Sequence, residues 1–212
     1  MSSVISNFEY IKKVINNNDI NIIAVSKSFT YDHIKPLVDF GHKHFGENKV
    51  QEAYSKWSNI KKELKDINLH MIGRLQSNKA KETVSIFDFI HSLDNPKLAN
   101  LLAKFENFFK KKRKYFIQIN IGREKQKNGI YEEDLNSFYN YCSKDLKLDV
   151  VGLMTIPPND GNESRHFKKL MQLNELLGLK QLSMGMSQDF KEAVKFKTTF
   201  VRIGSTIFGE RN

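Results

Sequence analysis

Lys27 ends the run Ile22-Ile23-Ala24-Val25-Ser26-Lys27, an apolar β-type segment that stops on a lone lysine, with helix-compatible sequence from about Thr30. An amine at the end of a buried strand is costly to place unless it has a task. Desolvation favours the neutral form of a lysine, and the neutral amine is a nucleophile. Two segments near the other end of the chain have a complementary character. Ser183-Met184-Gly185-Met186-Ser187 and Arg202-Ile203-Gly204-Ser205 both combine glycine with hydroxyls, and the second opens a short terminal helix. Glycine lets backbone approach an anion, hydroxyls donate to it, and a helix N-terminus presents N–H groups without intrahelical partners. Each segment alone is a commonplace strand end or turn. Together they make an amine nucleophile opposite two anion-accepting loops.

The elements that must hold these groups alternate along the chain. Candidate strands cover 21–26, 43–45, 69–72, 87–92, 114–121, 148–154, 181–184 and 200–203. Amphipathic helical stretches lie between them, at 31–40, 49–59, 96–109, 131–142 and 163–177. Eight β segments separated by helices specify an α/β fold, a single-domain (β/α)₈ TIM barrel over residues 1–212. The apolar pattern from Val4 to Ile15 adds an extra N-terminal helix packed on the barrel. The second strand is short and carries His44. Pro157-Pro158 and Asn159-Asp160-Gly161 read as a loop after strand six. In such a barrel the working groups lie at the C-terminal ends of the strands, and phosphate commonly binds after strands seven and eight. Lys27 and both glycine-hydroxyl loops fall at those ends.

Composition narrows the partners. The 212 residues are 40% hydrophobic and 27% charged, with 34 Lys+Arg against 24 Asp+Glu, a net charge of +10 that favours anionic ligands. No apolar run approaches membrane-spanning length, and 1–7 lacks the basic-then-apolar order of a signal peptide. The one cysteine, Cys142, excludes an intramolecular disulfide and a multi-cysteine metal site and points to a reducing cytoplasm. The basic run Lys110-Lys111-Lys112-Arg113-Lys114 reads as a solvated helix end whose cations complement the helix dipole. Nucleic-acid binding through it is the weaker reading, because no interleaved aromatics or recognised motif accompany it.

Several blocks in order resemble a known family. They are Ala24-Val25-Ser26-Lys27, Phe45-Gly46-Glu47-Asn48-Lys49-Val50-Gln51-Glu52 and His70-Met71-Ile72-Gly73-Arg74-Leu75-Gln76-Ser77-Asn78-Lys79. Val151-Gly152-Leu153-Met154-Thr155, Leu182 to Ser187, and Arg202 to Gly209 continue the series. The chain thereby resembles the single-domain pyridoxal-phosphate-binding proteins related to the alanine racemase N-terminal barrel, the pyridoxal phosphate homeostasis family. The resemblance implies that pyridoxal 5'-phosphate (PLP) is held as a Schiff base on Lys27. It implies that Ser187, Gly204 and Ser205 contact the phosphate, that Arg202 lies beside the pyridine nitrogen and that Asn48 lies near the ring. A permanent cation at that nitrogen disfavours its protonation and leaves the ring a weaker electron sink. Two positions depart from the pattern. Phe29 stands where many relatives carry a second lysine, and Ser205 where threonine is frequent.

Other conspicuous residues have plainer readings. His70 is a hydrogen-bonded structural histidine or a cavity wall. Asn78 and Lys79 are caps and surface groups opening a helix, or close the site or contact phosphate, and Met184 and Met186 are core fillers or cofactor neighbours. His33, His42, His44, His91 and His166 show no metal-ligand spacing. Glu47 and Glu52 form no evident acid/base pair, and Cys142 packs in a core.

The function implied is intracellular vitamin B6 homeostasis, buffering or delivering PLP to apoenzymes, without catalytic residues and with a monomer favoured. The alternative is a PLP-dependent amino-acid racemase. Stereoinversion needs acid/base groups on both faces of the substrate carbon. Alanine racemases draw the second from a tyrosine across a dimer and carry a second domain; here Lys27 serves one face, no second candidate appears, and the sequence stops after the barrel.

Overall fold

The computed structural model describes residues 2–210. Eight strands close into an all-parallel barrel in sequence order. They are β1 (Asn21–Val25), β2 (His44–Glu47), β3 (Asn68–Met71), β4 (Phe89–Leu93), β5 (Lys114–Gln118), β6 (Asp149–Met154), β7 (Gln181–Met186) and β8 (Phe200–Ile203). The helices are α1 (Ser3–Ile15), α2 (Tyr31–Asp39), α3 (Val50–Trp57), α4 (Ile60–Glu63), α5 (Ala80–Ile86), α6 (Pro96–Phe109), α7 (Glu132–Asn140), α8 (Glu163–Leu176), α9 (Phe190–Ala193) and α10 (Ser205–Phe208). No described helix is long and apolar enough to cross a membrane.

All eight expected strands form, with shifted ends that have local causes. β4 starts two residues late because the Phe87 N–H closes α5 on the Thr83 carbonyl. β5 stops at Gln118 because the Asn120 side chain turns to the carbonyls of Glu124 and Lys127. β2 runs on to Glu47, so His44 begins a real strand. The helix expected over 131–142 ends at Asn140 and continues as a π turn, Tyr141–Asp145, that buries Cys142 and pushes its thiol up to about 12.

Strand alternation divides the core. Outward-facing residues such as Ile22, Ala24, Phe45, Leu69, Tyr115, Leu153, Val201 and Ile203 pack under the helices. Inward-facing Ile23, Phe89, Phe116, Met154 and Phe200 fill the barrel itself. The extra N-terminal helix, α1, buries Val4, Phe8, Ile11 and Ile15. Its Asn7 amide donates to the Ile207 carbonyl at 3.1 Å, fixing α1 to α10.

The basic run is a solvated helix end: Lys110, Lys111, Lys112 and Lys114 are exposed and Arg113 is half-buried. Lys110 caps α6 in the left-handed conformation. Lys112 pairs with buried Glu106 at 3.0 Å, Arg113 with Asp88 at 3.5 Å, and the Lys114 ammonium lies 5.3 Å from the Phe89 ring centroid. These cations end a helix and close the N-terminal face of the barrel.

Candidate functional site at the C-terminal mouth

Closure of the barrel sets the ends of β7, β8, β1 and β2 side by side. Ile23 pairs with Arg202 and Ala24 with Ile203, so the exits of β1 and β8 are adjacent. Ser26 continues the ladder through its N–H to the Gly46 carbonyl at 3.0 Å and turns its hydroxyl outward to Glu47. Alternation then directs Lys27 to the inner face, the side of Ile23. Lys27 is half-buried there, and Ser28 after it takes the left-handed backbone region at φ 67°. A non-glycine residue in that region needs external support. The Glu52 carboxylate, from α3, provides it by accepting the Ser28 N–H.

Beneath this turn lies a buried polar cluster. Glu47 Oε1 accepts from Ser26 Oγ at 2.8 Å, Lys56 Nζ at 2.9 Å and Trp57 Nε1 at 2.9 Å. Burial pushes the Glu47 carboxyl up, against the pull of the Lys56 charge and the three donors. Glu47 and Glu52 are thus both partners of Lys56, not an acid/base pair.

Arg202 points into the barrel and is 4% exposed. It donates from Nη1 to Ser183 Oγ at 2.7 Å and from Nη2 to the Thr155 carbonyl at 2.8 Å. Both acceptors are neutral. Burial lowers its guanidinium to about 10, opposed by the Asp189 charge, so it remains a cation at neutral pH. After β8, Gly204 comes so near β1 that a Cβ would lie 3.3 Å from both Cβ and O of Val25. Ser205 follows at the exposed start of α10. After β7, Gly185 takes φ 94°, where a Cβ would stand 2.7 Å from that of Ala193, and half-buried Ser187 lies in the turn beyond. Asn48 leaves β2 half-buried; Gly73 lies against its backbone, with room for no Cβ within 2.4 Å of the Asn48 carbonyl oxygen.

Lys27, Asn48, Ser187, Arg202, Gly204 and Ser205 therefore share one end of the barrel, on four neighbouring strands. Phe29 has left that mouth. Its ring stacks on His33 at 4.7 Å and packs on Phe208 at 5.3 Å, while His33 Nε2 meets the Phe208 carbonyl at 3.0 Å. Phe29 thus forms an apolar staple to α10. Asn78 and Lys79 lie on a 3₁₀ turn opening α5, with Lys79 paired to Glu82 at 3.4 Å. Ser183, Thr155 and His91 were given no role beside Arg202 in the sequence. The signal for Ser183 and His91 was inward parity on strands seven and four; Thr155 contributes only a backbone carbonyl, which no residue type announces.

A closed parallel barrel with an inward strand-end lysine and glycine turns after its last two strands defines a class: barrel proteins whose C-terminal mouth accepts an anionic ligand. The chain belongs to the alanine racemase N-terminal domain family, which it matches over residues 1–212. It is 37% identical to the pyridoxal phosphate homeostasis protein of Aquifex aeolicus (strain VF5), over 92% of this chain and 88% of that one. It is 34% identical to the pyridoxal phosphate homeostasis protein of Escherichia coli (strain K12), over 92% and 87%. Among solved structures, PipY of Synechococcus elongatus PCC7942 with PLP bound superposes with a TM-score of 0.89 at 30% identity, over 97% of this chain and 100% of that chain. Alanine racemase of Corynebacterium glutamicum shares the fold, with a TM-score of 0.74 at 16% identity over 60% of its length.

Proposed function

We propose that this chain binds pyridoxal 5'-phosphate and serves vitamin B6 homeostasis, holding the cofactor as a Schiff base on Lys27. In this reading Ser187, Gly204 and Ser205 hold the phosphate, Arg202 faces the pyridine nitrogen and Asn48 borders the ring. The whole chain, 1–212, acts as one binding barrel. The observation that carries the reading is the pairing of β1 with β8. It sets an inward-facing lysine beside a glycine turn that nearly touches Val25, above a buried arginine that donates to two neutral acceptors. The 37% identical relative and the PLP-bound PipY structure support the same ligand.

The residues fit that ligand chemically. A dianionic phosphate suits glycine backbone, hydroxyls and the first N–H groups of α10. A carbonyl suits the Lys27 amine. A pyridine nitrogen is an acceptor, and Arg202 is a permanent donor. PLP, when bound, supplies an electron sink, and a cation at the ring nitrogen restrains it. The protein's own contribution is to bind and orient the ligand, not to move a substrate proton. We therefore propose a carrier without catalytic turnover. It would act as a cytoplasmic monomer that buffers PLP or passes it to apoenzymes; a single buried Cys142 suits a reducing compartment. Mixing the purified protein with PLP should give a visible absorption band. Borohydride should then fix the cofactor on the peptide carrying Lys27, and Lys27→Ala should lose the band. Labelling of a different lysine alone would overturn the assignment.

A further inference from the structure

Three imidazoles run in file through the barrel interior toward Arg202. His44 Nδ1 lies 2.9 Å from His70 Nε2, His70 Nδ1 lies 2.9 Å from His91 Nε2, and His91 Nδ1 lies 2.8 Å from Ser183 Oγ. Ser183 Oγ in turn accepts from Arg202 Nη1 at 2.7 Å. The file from Arg202 draws on five strands, β8, β7, β4, β3 and β2, and ends at His44, where β2 begins. There His44 borders a cavity of about 360 Å³ on the N-terminal face, with His42, Lys12 and Asn21.

The rings have little freedom. His70 stacks on Phe89 with centroids 4.4 Å apart and planes 12° from parallel; His91 stacks on Phe116 at 4.3 Å and 15°. Phe200 meets both from across the barrel, at 5.4 Å and 6.1 Å. His70, His91 and Ser183 are all fully buried. Burial holds both imidazoles well below their usual range, and the Arg202 charge adds to this at His91. Both rings are therefore neutral, and each has one donor and one acceptor nitrogen.

The arginine sets the direction of the file. A guanidinium only donates, so Ser183 Oγ accepts from Arg202 and has its own proton to give. His91 Nδ1 receives it. His91 must then donate from Nε2 to His70 Nδ1, and His70 from Nε2 to His44 Nδ1. The reverse polarity would make Ser183 accept twice and strand its hydroxyl proton in a fully buried site. One tautomer, protonated on Nε2, thus satisfies the interior from Ser183 to His44.

We propose that His44, His70, His91 and Ser183 form one polarised hydrogen-bond relay that positions Arg202, so that side chains reaching the N-terminal face set the guanidinium at the C-terminal mouth. These are positioning residues, and their effect on PLP rests on the binding reading above. The relay itself does not, because it is a property of the ligand-free chain.

The test has two arms on the full chain. In the first, nitrogen-15 NMR of the ligand-free protein at pH 7 reads the tautomers and the Arg202 side-chain signals. His70 and His91 should both be neutral and protonated on Nε2. Ser183→Ala and His44→Phe should each shift the Arg202 signals, and Ser183→Thr, which restores the hydroxyl, should return them. A proton on His91 Nδ1, or Arg202 signals indifferent to Ser183→Ala, overturns the relay. In the second arm PLP is added. Ser183→Ala should weaken PLP binding about tenfold, the loss expected for a hydrogen bond to a charged group, and displace the visible band, with Ser183→Thr restoring both. An unaltered band and affinity in Ser183→Ala overturns the positioning role. A wild-type protein without any band overturns the binding reading instead, and the first arm still decides the relay.

Discussion

The Lys56 ammonium donates at 2.7 Å to the carbonyl of Ser26, the residue immediately before Lys27. The same ammonium lies 2.9 Å from the fully buried Glu47 carboxylate. A lysine on α3 thus ties the exit of β1 to that of β2 and sets the base on which the Lys27 turn stands.

Removing one partner of this pair should be costly because it leaves the other charge buried and uncompensated. Lys56→Met should lower unfolding free energy by about 3 kcal/mol. The double variant Lys56→Met, Glu47→Gln should recover most of that loss, since neither charge then remains. Denaturant unfolding of the two proteins measures both. A single variant as stable as the parent would mean that the pair contributes nothing.

The phosphate contact proposed for the β7 exit predicts a ligand-selective defect. Ser187→Ala should weaken PLP binding by about 1.5–3 kcal/mol, the range for a hydrogen bond to a charged group. Pyridoxal, which lacks the phosphate, should be almost indifferent to the change. Titration of both ligands separates the cases, and equal losses would remove Ser187 from the phosphate site.

Acid should destabilise the barrel through its buried imidazoles. Burial lowers His42 to about 4, with its contact to the His44 carbonyl partly opposing. An unfolded histidine titrates near 6.5, so between about 6.5 and 4 the unfolded chain takes up a proton that the folded chain refuses. Stability therefore falls as pH drops through that window, by about 3 kcal/mol for this group, and is flat above it. His44, also lowered to about 4 by burial, acts with the same sign. Melting temperatures at pH 7, 5.5 and 4.5 should fall steeply in the parent and less in His42→Phe. Equal slopes would clear His42.

A carrier should not process amino acids. PLP-loaded protein incubated with the enantiomers of alanine, serine, glutamate and lysine should yield neither racemisation nor keto acid at enzymatic rates. Binding alone lowers no barrier, and in the proposed pose Arg202 is a cation beside the ring. Chiral chromatography reads the outcome. Robust turnover abolished by Lys27→Ala would restore the racemase reading.

Much of this site was legible in the chain because barrel folding converts position along a strand into position in space. An apolar run ending on Lys27, and glycine-hydroxyl turns after the seventh and eighth runs, suffice to put those groups at one rim. Eight alternating segments settle the barrel for the same reason: each strand must bury both faces, and the intervening amphipathic helices have only the sheet to cover. What the sequence could not decide were contacts across the interior. Parity says that His70, His91, Ser183 and Arg202 face inward, but strand register and barrel closure decide which of them meet. His70 therefore looked like one histidine among six, although it is the middle of a file. Phe29 shows the same division. Its apolar character is plain in the sequence, while its stacking on His33 and Phe208 exists only because closure brings α10 back against the first turn. Local chemistry is written in neighbouring residues; partnership between strands is fixed by the geometry of the closed sheet.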